Sequence, residues 1–105
     1  MARVKFQTLT EPMYYILLAL TSECCGIDIM HRVDEISHGR ISVGPGTLYA
    51  MLQKFEDSGV ILRTREEGRK KWYEITDTGR EMLDAERERL RIMLDDAENF
   101  SKLVK

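Results

Sequence analysis

The chain of 105 residues has only two cysteines, and they are adjacent, Cys24 and Cys25. Neighbouring cysteines close a disulfide on each other only under strain, so no disulfide framework is expected and a reducing compartment fits. Long apolar runs are missing too. The longest, Met13 to Leu20, is far too short to span a bilayer. No basic segment with an apolar stretch and a small-residue cleavage site opens the sequence, so a cytoplasmic protein without a membrane partner is expected. Internal repeats and low-complexity stretches are absent. So are Ser/His/Asp or Cys/His sets placed for nucleophilic work, and any evident pair of catalytic carboxylates. Gly44-Pro45-Gly46-Thr47 lacks the Gly-Lys-Ser/Thr ending of a phosphate-binding loop. The spacing of Cys24, Cys25, His31 and His38 matches no common zinc pattern. No enzyme, metal site or cofactor is expected.

What is present reads as one globular domain: 43% hydrophobic and 32% charged residues exclude a disordered chain. Net charge is −2, which by itself argues mildly against a nucleic-acid partner, but its distribution matters more. From Arg40 to Lys71 seven bases (Arg40, Lys54, Arg63, Arg65, Arg69, Lys70, Lys71) face four acids (Glu56, Asp57, Glu66, Glu67), a local +3. From Thr76 to Lys105 six bases face eight acids, a local −2.

Along the chain, a short arm with Arg3 and Lys5 leads to Thr10, a good N-cap followed by Glu11 and Pro12, an acid and a proline where a first helical turn favours them. The helix predicted from Glu11 to Thr21 is apolar almost all round, as a helix buried on most sides must be. Ser22 to Gly26 is read as a break. A second helix, about Gly26 to Ser37, carries Ile27, Met30, Val33 and Ile36 as its expected core stripe, with His38-Gly39 as its stop. Ile41 to Val43 reads as a short strand and Gly44-Pro45-Gly46 as a turn. A third helix then buries Leu48, Met51, Leu52 and Phe55, with Thr47, Tyr49, Ala50, Gln53 and Lys54 on or beside the other face and Gly59 as the stop. Two strands, Val60 to Arg65 and Lys71 to Ile75, form a hairpin with a charged tip. Adjacent Trp72 and Tyr73 point to opposite faces of it. Capped by Thr76 or Asp77, a last helix runs to about Lys102. Its apolar seam of Leu83, Leu90, Met93, Ala97, Phe100 and Val104 is interrupted by Glu86. Its 25 residues would be roughly 37 Å long, more than a core this size covers, so a second copy of the chain is expected.

The fold class is therefore mainly α with a small β-hairpin: a winged helix-turn-helix over residues 1–76 and a long C-terminal dimerisation helix over 77–105. Gly26-Ile27-Asp28-Ile29, Val43-Gly44-Pro45-Gly46-Thr47-Leu48-Tyr49 with Leu52, Gly59-Val60-Ile61, and Tyr73-Glu74-Ile75-Thr76-Asp77-Thr78-Gly79 resemble the PadR family of bacterial transcriptional regulators, over roughly Leu9 to Ala85. The single last helix resembles its short branch. The resemblance implies a homodimer on double-stranded operator DNA, a repressor sometimes released by a small molecule. It also implies a third helix in the major groove, a hairpin on the flanking backbone, and a last helix that pairs subunits. Some relatives hold flat aromatic drugs between tryptophans of that last helix, but Trp72, the one tryptophan here, lies in the wing.

The expected DNA contacts are Ser42, Gly46, Thr47, Tyr49, Lys54, Arg69, Lys70 and Lys71. Glycine lets the backbone approach closely, Thr and Tyr hydroxyls bond phosphates or base edges, and cations at a hairpin tip serve phosphates. Expected dimer residues are Leu83, Leu90, Met93, Ala97 and Phe100. An effector is expected near Tyr14, Tyr15, Leu18, Met93 and Ala97. Two alternatives stand beside this reading: a winged helix that grips an acidic protein partner, and a regulator that responds to thiol chemistry or a soft metal through Cys24 and Cys25.

Overall fold

A computed structural model describes residues 8–103; the arm with Arg3 and Lys5, and Val104, lie outside the described residues. Thr10 starts helix α1 (Glu11–Ala19), its hydroxyl accepting from the Met13 N–H at 3.3 Å. The helix stops earlier than its apolar run, with Leu20 as C-cap. Arg32 accounts for part of that end, donating to the Ala19 carbonyl and the Ser22 hydroxyl, both at 2.9 Å.

The presumed break after α1 contains a strand. β1 (Cys24–Cys25) pairs antiparallel with the second strand of the hairpin, Cys24 opposite Tyr73 and Cys25 opposite Trp72. The strand expected at Ile41 to Val43 does not form. Its backbone is used locally instead: the Ser37 hydroxyl accepts from the Ile41 N–H at 3.1 Å, and Val43 drops its side chain into the core.

Helix α2 (Gly26–Ile36) buries Gly26, Ile29 and Val33, with Met30 packed beside them. Ile27 and Ile36, expected in the stripe, are 53% and 39% exposed. A series at steps of three slips backward around a helix of 3.6 residues per turn, and over nine residues its ends stand roughly half a turn apart. The true stripe steps by three and four. His38 (φ 56°) takes the left-handed position expected for glycine, with Gly39 (φ 77°) behind it.

Helix α3 (Pro45–Asp57) buries Leu48, Leu52 and Phe55 and half-buries Met51, as its pattern implies. Gly59 (φ 77°) ends it, with the Val60 N–H reaching the Phe55 carbonyl at 2.9 Å and the Gly59 N–H reaching Glu56 at 3.1 Å, the two bonds of a Schellman end. The hairpin follows as β2 (Ile61–Glu67) and β3 (Lys70–Ile75), closed by Gly68-Arg69 with Gly68 at φ 61°. With β1 the sheet has three antiparallel strands in the order β1-β3-β2, one strand more than a bare hairpin.

Helix α4 (Asp77–Leu103) is locked to this frame at its start. Thr76 caps it: the hydroxyl accepts from the Gly79 N–H at 3.1 Å and lies 2.7 Å from the Gly59 carbonyl, while the Thr76 N–H donates to Val60 at 3.0 Å. Gly79 lets the helix backbone lie against the sheet. A Cβ there would overlap the Val60 carbonyl oxygen and stand 2.6 Å from Ile75 Cγ1. Leu83 and Glu86 are buried one and two turns on, but every residue from Arg91 to Leu103 is exposed.

Candidate nucleic-acid interface and effector cleft

The buried stripe of α3 decides which residues it leaves outside. Thr47, Tyr49, Ala50, Gln53 and Lys54 are all exposed, as are Ser42 in the preceding loop and Gly46 in the first turn. Gly44 caps α3 with no side-chain bond, and Pro45 has no N–H to lose. The first-turn amides of Gly46 and Thr47 therefore face outward without an intrahelical acceptor.

On the hairpin a β-bulge decides where the cations go. Arg63 lies opposite Tyr73 and Arg65 opposite Trp72, so Thr64 is the extra residue. Neighbours on a strand face opposite ways, so the bulge turns Arg63 and Arg65 to different faces of the sheet. Simple alternation would have placed them on one. Arg65 stacks on the half-buried Trp72 ring, 3.9 Å from its centroid, and also meets Glu67 at 3.9 Å. Arg63 pairs with Glu56 at 3.3 Å and Glu66 at 3.4 Å and lies over Tyr73. Tyr73 is the core-facing member of the aromatic pair. The freed Thr64 hydroxyl donates to Glu23 beside β1.

The bulge sharpens the local charge. Arg63 is spent on Glu56 of α3 and Glu66 of the wing, and Arg65 on Glu67 of the wing. Among the described residues, no ion pair involves Lys54, Arg69, Lys70 or Lys71. Arg69 and Lys70 are exposed and Lys71 is half-buried. Those three share a cleft of about 170 Å³ with Tyr49, Cys25, Gly26 and Ile27. Residues of α3 and of the wing that are 20 or more positions apart in sequence thus line one surface.

A second cleft, about 310 Å³, lies between α1 and α4, lined by Leu9, Thr10, Glu11, Tyr14, Tyr15, Glu86, Arg89 and Leu90. It brings together Tyr14 and Tyr15 of the expected effector set, whose rings meet edge to face at 5.7 Å. Leu18 lines a separate 170 Å³ hollow with Leu83 and Arg87. Met93 and Ala97 stand farther along the exposed part of α4 and do not line the α1–α4 cleft. Burial pushes the Tyr14 hydroxyl pKa up. Arg40, in the loop before α3, reaches two of the cleft's wall groups, donating to Glu11 at 3.1 Å and to the Tyr15 hydroxyl at 2.9 Å. Arg40 belongs to the basic stretch of the sequence, and its tie to α1 has no local signature there, because the partners are 25 and 29 residues away.

Of the expected dimer residues, Leu83 lies in this chain's own core at 4% exposure. Leu90, Met93 and Phe100 are 42%, 53% and 64% exposed, and Ala97 is exposed as well. Cys24 is buried in β1, its thiol 3.7 Å from the Ala19 carbonyl, and burial pushes its pKa up to about 11. Cys25 bonds Asp28 at 3.4 Å. Among the described residues no group of three or more His, Cys, Asp or Glu side chains is gathered as a metal site, and no helix is long and apolar enough to cross a membrane.

Three helices, a three-stranded sheet ending in a bulged wing, and a projecting last helix define a winged helix-turn-helix protein. The chain belongs to the PadR-like family of transcriptional regulators, whose family profile matches residues 16–85. Solved structures share the fold. A transcriptional regulator from Clostridium thermocellum is 20% identical, with a TM-score of 0.69 over 90% of this chain and 93% of its own. RosR of H. salinarum is 24% identical, with a TM-score of 0.65 over 93% and 92%. The smu.1704 protein of Streptococcus mutans UA159 is 18% identical, with a TM-score of 0.64 over 93% and 94%. No curated protein matches the sequence.

Proposed function

We propose that the chain acts as a homodimer that binds operator DNA and represses transcription until a small molecule releases it. The observation that carries this reading is the shared surface of Tyr49 with Arg69, Lys70 and Lys71, whose cations have no carboxylate partner among the described residues. A helix face beside uncommitted wing cations suits a major groove and its flanking phosphates. Ser42, Gly46, Thr47, Tyr49 and Lys54 serve the groove and its edge; Arg69, Lys70 and Lys71 serve the backbone. Two copies joined along Leu90, Met93, Ala97 and Phe100 present two such surfaces.

The α1–α4 cleft is the proposed effector seat, with Tyr14 and Tyr15 as aromatic walls. An occupant would bear on Glu11 and Tyr15, the two groups that hold Arg40 and through it the loop leading into α3. A ligand needs only different affinities for two arrangements of that loop, or of the two heads, to shift DNA binding.

The test is a gel shift with the DNA upstream of the chain's own gene, at low salt and with random DNA as competitor. A shift that survives the competitor is expected. A folded dimer that leaves the fragment unshifted sinks the reading.

A further inference from the structure

We infer that Gly26 is a positioning residue whose missing side chain holds Tyr49 where the DNA reading needs it. The inference rests on the proposed DNA binding and adds to it a residue on a different helix. Gly26 is the first residue of α2 and is buried. The Tyr49 ring, from α3, lies across it. A Cβ on Gly26 would overlap the Tyr49 hydroxyl oxygen and stand 2.9 Å from Cζ and 3.2 Å from Cε1.

No backbone demand explains this glycine. It is absent from the residues with positive φ, which are His38, Gly39, Gly59 and Gly68. In a helix with ordinary backbone angles alanine is the intrinsically better residue. What glycine provides at position 26 is room for the far end of Tyr49. That end is a mobile side chain, so an added methyl group would displace the ring rather than break the fold.

Where the ring lies matters for function. Tyr49 is 49% exposed and its hydroxyl makes no hydrogen bond among the described residues. From its seat on Gly26 it shares a cleft with Arg69, Lys70 and Lys71. A phosphate drawn in by those cations meets the Tyr49 hydroxyl as a neutral donor at a fixed place. With the ring swung away, the cations remain and the donor is lost.

The experiment combines thermal melting with fluorescence-anisotropy titrations on the upstream DNA across a salt series, for wild type, Gly26→Ala, Tyr49→Ala, Tyr49→Phe and the Gly26→Ala/Tyr49→Ala double variant. Gly26→Ala is expected to melt at or above the wild-type temperature. It should bind DNA about tenfold more weakly, the scale of one lost hydrogen bond to a charged group. The slope against salt should hold, because the number of cation–phosphate contacts is unchanged. Tyr49→Phe should reproduce that loss, and the double variant should bind as Tyr49→Ala alone, since the displaced group is gone. Wild-type affinity in Gly26→Ala, losses that multiply in the double variant, or a collapsed melting temperature for Gly26→Ala would each overturn the inference. Failure of the wild type itself to bind DNA removes the parent reading, and this inference with it.

Discussion

Glu86 breaks an otherwise apolar seam in the sequence and reads there as a fault in a dimer stripe. In the fold it is 6% exposed and accepts from Arg89, and that bond, with a smaller contribution from the Leu9 backbone N–H, holds its carboxyl below the ordinary glutamate value of 4.5. The Arg89 bond is the larger cause and burial opposes it. A carboxyl with a depressed pKa stabilises the fold fully above the unfolded value, and that contribution disappears as pH falls through the folded value. Glu86→Gln is therefore expected to lower stability at neutral pH and to flatten the fall in melting temperature on acidification, measured by thermal melts from roughly pH 7 to pH 3. Equal acid-side slopes for variant and wild type would contradict it. The burial of Glu86 was not legible because the residues that line its cleft from the side of α1, among them Leu9, Thr10 and Tyr14, come far earlier in the chain, beyond any periodicity. Ile27 and Ile36 misled for a local reason, since a three-residue step imitates a helical stripe over one turn and leaves it over three. By contrast Leu48, Leu52 and Phe55 were plain, because their steps of four and three keep to one face.

Among the elements, α4 depends on the hairpin for its start. Thr76 gives it a cap and Gly79 lets it lie against Val60 and Ile75. Thr76→Ala should cost about 1 kcal/mol, the usual value of an N-cap hydroxyl. Gly79→Ala should cost about 2 kcal/mol, because the overlapped atom is a backbone carbonyl that cannot rotate away. Denaturant melts of both variants check this, and a neutral Gly79→Ala would show that the helix is not seated so closely. Thr76 was visible in the sequence as a cap; the close approach of Gly79 to Val60 was not, since it depends on how two elements dock. β1 escaped notice for a simpler reason. Two residues carry no alternation, and Cys24-Cys25 becomes a strand only when Tyr73 and Trp72 arrive to pair with it. The wing's bulge likewise has no single-residue signature, yet it sends Arg63 and Arg65 to different faces, where each meets carboxylates, while Arg69, Lys70 and Lys71 have no ion pair among the described residues. Replacing Lys70 and Lys71 by alanine should weaken binding to all DNA sequences and lower the salt slope by about one unit per lost phosphate contact. Anisotropy titrations at several salt concentrations measure that slope, and an unchanged value would remove the wing from the interface.

At the scale of the whole molecule, shape and exposed surface point the same way. The radius of gyration is 15.8 Å and the longest extent 60 Å, whereas a compact domain of this length has a radius near about 13 Å. The excess is α4, which from Leu90 onward carries Leu90, Ile92, Met93, Leu94, Phe100 and Leu103 exposed. These apolar residues were readable from sequence because their spacing is local, although Leu83, expected at the head of the dimer seam, belongs to the chain's own core. Leu90→Glu with Met93→Glu is expected to convert a dimer to a monomer in sedimentation equilibrium and to remove DNA binding with it, while the winged core still melts cooperatively. A dimer that survives both charges would place the interface elsewhere. We propose that two identical surfaces of α3 and wing meet one DNA duplex together. Hydroxyl-radical footprinting of the upstream fragment tests it most directly. Two equivalent protected patches about one helical turn apart are expected; a single patch, or uniform cutting at protein concentrations that saturate the fragment, would contradict it.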